Sequence, residues 1–266
     1  MKAARLVATL VALLGAAAHA ARPLRVGTTT SVQDSGLLDV LLPAYERATG
    51  SRPDVIAVGT GAAFKLARDG NVDLLLVHDR DGEDEFIRSG DGVVRRPLMW
   101  NTFEILGPES DPAGVRGSRS GAEALAKIAR AQAPFVSRAD DSGTDRCEKR
   151  LWKAGGGRPS WPGYRESGQG MGATLRIADE LGAYVLGDRG TRLGYRGRLA
   201  LVPLVADTPD LRNEYAVVLI DPKRHPDLDQ EGARRLADWL ASAEAARLID
   251  GYRVGGQPLF HALRSD

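Results

Sequence analysis

A chain of 266 residues, 43% hydrophobic and 27% charged, is long enough to form one large domain or two lobes. Its formal net charge is +1 with both signs mixed throughout, and its aromatic residues do not interleave with basic patches, so nucleic acid and polybasic membrane binding are disfavoured. The single cysteine, Cys147, excludes an intrachain disulfide, and one thiol with few histidines gives poor support for a Cys/His zinc site.

Residues 1–20 read as a secretory signal: Lys2 and Arg5 give a positive start, residues 6–14 an apolar run, and Ala18-His19-Ala20 a small-x-small cleavage site. The run is too short for a permanent anchor, which predicts an exported, periplasmic protein. Cys147 lies too far from the cleavage site to carry a lipoprotein's lipid and is expected to pack as a small apolar residue. Beyond the leader, residues 24–27 read as a strand and 37–48 as a helix with Gly50 as its stop. Residues 53–58 form a second strand, 62–68 a helix, and 73–77 an almost continuous apolar strand of the kind a buried parallel sheet uses. This alternation implies an α/β layer with right-handed crossovers. Asp34 is expected to serve a turn, and the acidic run 79–85 to form a solvated face.

Residues 98–107 make a long extended run that leaves one sheet and enters another. A second alternation follows, with helices over 122–131, 147–154 and 173–181 and strands over 135–136, 184–186 and 199–204. Residues 214–220 cross back, and 231–250 carry helical spacing. The expected fold class is therefore α/β and two-lobed, each lobe a mostly parallel sheet flanked by helices, joined by a two-strand hinge. Residues 21–101 and 214–266 would make lobe 1, and 102–213 lobe 2.

Three short runs join a strand-like segment to a helix-like one: residues 27–31, Gly59-Thr60-Gly61, and residues 137–144. Helix starts expose unpaired amides and a positive dipole end, small residues let a ligand approach them, and Ser and Thr hydroxyls add donors. The pattern points to an anion receptor. Plain helix capping would use one hydroxyl of residues 28–31, but four in a row exceed that need. Arg138 would meet an anion, pair with Asp140 or Asp141, or do both. Gly59-Thr60-Gly61-Ala62-Ala63-Phe64 lacks the full dinucleotide fingerprint, and no phosphate-binding G-x-x-x-x-G-K-[ST] loop is present, so a nucleotide site is disfavoured. Gly168-Gln169-Gly170-Met171-Gly172 reads equally as a close backbone approach or a packing turn. Met171 and Trp100 are expected in the apolar core.

The stretch Thr28-Thr29-Thr30-Ser31-Val32-Gln33-Asp34-Ser35-Gly36-Leu37-Leu38 resembles the opening of tungstate-binding proteins of ABC transporters. So do Ala57-Val58-Gly59-Thr60-Gly61, Asp73-Leu74-Leu75-Leu76-Val77-His78, residues 137–144, residues 166–175 and Gly256-Gln257-Pro258-Leu259-Phe260. The resemblance spans nearly all of the mature chain. It implies a two-lobed periplasmic binding protein of type II topology that captures tungstate or molybdate, with no catalysis and no cofactor. Its partner would be a membrane-embedded ABC permease with its ATPase, and the protein itself a monomer. It implies oxyanion-binding roles for Thr29, Thr30, Ser31, Thr60, Gly61, Arg138, Ser142, Gly143 and Thr144. Asp145 stands where many members carry His, and the acidic run and residues 261–266 also depart from the pattern.

Two other readings compete. A phosphate-binding protein shares the Arg-x-x-x-Ser-Gly-Thr pattern of Arg138 and Ser142-Gly143-Thr144, but needs a carboxylate acceptor such as Asp34, Asp140 or Asp141 for the ligand's proton. A secreted serine hydrolase would need a base and an orienting group beside its nucleophile. The mature chain offers it only His78, His225 and His261, and no Gly-x-Ser-x-Gly.

Overall fold

The computed structural model describes residues 22–195 and 197–263; the leader expected over 1–20 lies outside the described residues. Strand β1 (Arg25–Thr29) runs into a short helix α1 (Thr30–Asp34) and then α2 (Leu38–Thr49), which Gly50 ends in a left-handed conformation at φ 74°. Strand β2 (Asp54–Val58), helix α3 (Thr60–Arg68), strand β3 (Leu74–Val77) and helix α4 (Arg80–Arg88) follow. β1 pairs in parallel with both β2 and β3, setting Val26 between Val55 and Leu74. All four residues of β3 are buried, as their unbroken apolar character requires.

The 16-residue strand β4 (Gly92–Gly107) carries the chain into a second sheet. Helix α5 (Gly121–Arg130), strand β5 (Phe135–Ser137), helix α6 (Gly143–Ala154), strand β6 (Tyr164–Glu166) and helix α7 (Met171–Glu180) come next. Strand β7 (Tyr184–Asp188), helix α8 (Arg189–Gly194) and strand β8 (Val202–Val205) complete that half, where β5 lies parallel to β6 and β7. Strand β9 (Arg212–Ile220) returns, followed by α9 (Gln230–Leu240), α10 (Ala243–Gly251), the small pair β10 (Arg253–Val254) and β11 (Gln257–Pro258), and β12 (His261–Ala262).

The principal strand order is β2-β1-β3-β9-β4-β7-β5-β6. Each end of this order is parallel; the centre, where β9 and β4 run against their neighbours, is antiparallel. β4 joins the halves: residues 92–102 pair with β9, and residues 103–107 with β7 and β8. Each sheet buries an apolar cluster on both faces, one pair built around Leu41 and Leu75 and the other around Ile105 and Leu175. Cys147 packs in the second of these halves as a small apolar residue, and burial pushes its thiol pKa up to about 12.

Several expectations need correction. The helical spacing over 231–250 is two helices, because the Ser242 hydroxyl accepts from the Ala245 amide at 3.2 Å and restarts the helix. The strand expected at 199–204 begins only at Val202, since the amides of Ala200 and Leu201 turn onto Asp179 Oδ1 at 2.7 and 2.9 Å. The acidic run is only partly a solvated face, because Asp79 and Glu83 are buried. Glu83 accepts from the Asp79 amide at 2.8 Å and from Arg95 Nε at 2.6 Å. Trp100 is half-buried at the molecular surface, stacked on His261 with ring centroids 4.4 Å apart and lying under the Arg212 guanidinium.

Candidate functional site

The residues that follow β1, β3 and β5, together with the last residue of β7, meet at one cavity of about 460 Å³ between the two halves. A crevice beyond the carboxyl ends of parallel strands is where helix starts converge in open α/β folds. Thr30, Ser31, Asp34 and His78 line it from the first half, and Arg138, Thr144, Gly170, Asp188 and Thr191 from the second.

The hydroxyl run divides its tasks. Thr28 is buried and donates to the Leu76 carbonyl at 2.6 Å, which ties β1 to β3. Thr29 caps α1 through the Val32 amide at 3.4 Å and stands 3.0 Å from Ser31 Oγ. Thr30 and Ser31, one residue further on, reach the cavity wall. Asp34, expected to serve a turn, lines the same wall.

His78 organises this side. Its Nε2 lies 2.8 Å from Ser31 Oγ and 3.1 Å from Thr29 Oγ1, and its Nδ1 lies 3.1 Å from Asn213 Oδ1. The ring stacks on Tyr215 at 4.7 Å. Asn213 and Asn101 are paired across β9 and β4, and the Asn213 amide donates to Asn101 Oδ1 at 2.9 Å. Burial holds the imidazole below its ordinary pKa; Asn213, Asp188 and Asp79 act in the opposite direction, and Arg138 reinforces the depression.

On the other side, Arg138 is clamped to Asp140, its Nη1 stands 3.4 Å from Thr144 Oγ1, and its buried Nε has no protein partner. The loop leading to α6 holds Ala139 at φ 49° and Asp141 at φ 56°, both left-handed. Such strain persists where the surrounding contacts over-determine it. Here they do: Asp140 Oδ1 accepts from the Ser142 amide at 3.2 Å, and Asp145 Oδ2 from the Asp141 amide at 3.0 Å. Asp145 is thus a buried brace that also holds Lys149 at 2.6 Å. Ser142, the serine a hydrolase would need, caps α6 through the Asp145 amide at 3.4 Å.

Of the residues singled out in the sequence, Thr30, Ser31, Arg138 and Thr144 come together on the wall, with Thr29 directly behind. Ser142 and Gly143 form the start of α6 just beyond it, and a Cβ on Gly143 would lie 2.9 Å from His78 Cε1. Thr60 and Gly61 open α3 and are not among the residues that line this cavity; Thr60 is buried and Gly61 faces Arg146. The starts of α7 and α8 line the cavity in their place. Gly170-Met171-Gly172 therefore supplies close backbone, and Met171 both packs in the core and touches the cavity. Asp188 caps α8, accepting from the Thr191 amide and hydroxyl, each at 2.7 Å. The two asparagines carry no local signal, because each has polar neighbours in its strand: Asn101 stands beside Thr102 in β4, and Asn213 between Arg212 and Glu214 in β9. Among the described residues no three His, Cys, Asp or Glu side chains gather as metal ligands.

A small cleft lined by hydroxyls, amides and a guanidinium, with residues from both halves, is the build of a solute-binding protein, and residues 16–244 match the PBP superfamily domain. The TupA tungstate-binding protein of Peptoclostridium acidaminophilum is 41% identical over 88% of this chain and 84% of its own length. Among solved structures, the tungstate-binding protein TupA of Desulfovibrio alaskensis G20 is 38% identical, with a TM-score of 0.84 over 91% of this chain and 100% of that one. The tungstate ABC transporter structure from Geobacter sulfurreducens is 44% identical, with a TM-score of 0.78 over 87% of this chain and 99% of that one. The chain belongs to the PBP superfamily and, within it, to the family of the TupA tungstate-binding proteins.

Proposed function

We propose that this protein captures tungstate, or the closely similar molybdate, in the periplasm and delivers it to an ABC permease. The observation that carries the reading is a cavity with anion donors from both halves, Thr30 and Ser31 on one side and Arg138 and Thr144 on the other. A tetrahedral dianion that holds no proton at neutral pH needs donors at every oxygen, and the hydroxyls, amides and guanidinium of the wall can supply them. Of the described residues, those from 22 to 101 and from 214 to 263 form one lobe and those between 102 and 213 the other, β4 and β9 serving as the hinge on which they close over the anion.

Ser31, His78 and Asn213 have the connectivity of a nucleophile, base and orienter. In a family of binding proteins we read that relay as a means of aiming hydroxyls. Phosphate is a second reading because Asp34 lines the cavity and would accept the proton of hydrogen phosphate. Calorimetric titration with tungstate, molybdate and phosphate separates them. Tungstate or molybdate is expected to bind far more tightly than phosphate, and the reverse order would overturn the proposal.

A further inference from the structure

The hydrogen bonds behind the cavity fix where the proton of His78 resides. Asn101 Nδ2 and Asn213 Nδ2 both donate to Tyr215 Oη, at 3.1 and 3.0 Å. Turning both amides over would set two carbonyl oxygens against a phenol that has one proton, and on that ground we assign both amide nitrogens to the phenol. Asn213 Oδ1 therefore faces His78 Nδ1, which must carry a proton. In the neutral ring Nε2 is then an acceptor, and it takes the Ser31 hydroxyl proton at 2.8 Å, while Thr29 stands 3.0 Å from Ser31 Oγ. With the Ser31 proton pointing to Nε2 and the Thr29 proton directed to Ser31 Oγ or to Nε2, neither hydroxyl has a proton left for an anion in the cavity.

We propose that His78 is a positioning residue that takes a proton from solvent at Nε2 as the anion is captured. The Nε2–H then donates to Ser31 Oγ, and the Ser31 proton turns into the cavity as a donor. The inference rests on the reading of the cavity as an oxyanion site. The charges around the ring fit a switch of this kind. Burial, Arg138 and the start of α6 at Gly143 disfavour the imidazolium, while Asp188 and Asp79 favour it. Asp79 shares its charge with Arg146, Asp34 lines the same side of the cavity, and the stacked Tyr215 is neutral because burial pushes its pKa up. An arriving dianion tips this balance toward the charged ring.

Titration of the protein with sodium tungstate from pH 6 to 9, in two buffers of different ionisation enthalpy, counts the protons taken up. Uptake approaching one proton per anion is expected above neutral pH, with affinity falling by up to about tenfold per pH unit over that range. His78→Gln is expected to flatten that dependence. Ring ¹⁵N shifts of the wild-type protein read the same event without a variant, with His78 doubly protonated only in the complex. Tungstate binding without proton uptake, or a neutral His78 in the complex, would overturn the inference alone. Failure to bind tungstate at any pH would overturn the functional reading and this inference together.

Discussion

Among the described residues Arg138 is the one permanent cation on the cavity wall, and Asp140 holds one edge of its guanidinium while the buried Nε has no protein partner. A charged hydrogen bond is worth about 1.5–3 kcal/mol, so Arg138→Ala is expected to weaken tungstate binding at least tenfold in calorimetry. Arg138→Lys should recover only part of the loss, because an ammonium lacks the planar fork. Unchanged affinity in both variants would remove Arg138 from the site. This residue was legible in the sequence because it sits in a dense local motif. His78 was visible only as the end of a familiar block, since what gives it meaning is Asn213, 135 residues away.

The start of α6 is where the two halves touch. Gly143 leaves just enough room for the His78 ring, and one turn later Arg146 reaches back to Asp141 at 2.8 Å and across to the buried Asp79. The ring is held by hydrogen bonds at both nitrogens, so a methyl group at position 143, 2.9 Å from its Cε1, must displace the ring from those partners or move the halves. Gly143→Ala should therefore weaken anion binding while leaving the melting temperature of the anion-free protein nearly unchanged. A drop in that melting temperature with affinity intact would refute the close fit. No local pattern in the sequence marks Arg146. Its decisive partner is 67 residues distant, and the helix that carries it begins at Gly143, four residues before the Cys147 start that apolar spacing suggested.

At the scale of the whole molecule, the alternation of strand and helix and the extended run that enters a second sheet were legible, because burial on both faces writes itself into unbroken apolar strands. The choice of helix starts was not. Gly59-Thr60-Gly61 and Gly170-Met171-Gly172 carry similar local chemistry, yet only the second lines the cavity. That difference depends on strand order, which local residues do not encode. If β4 and β9 act as a hinge, small-angle scattering should give a smaller radius of gyration with tungstate than without it. Equal radii would argue for a preformed cleft.

The most direct measurement is the anomalous diffraction of tungsten in a crystal of the complex. One strong peak is expected in the cavity, within hydrogen-bonding reach, through its oxygens, of Ser31 on one side and of Arg138 and Thr144 on the other. A peak elsewhere on the molecule, or none at saturating tungstate, would contradict the assignment.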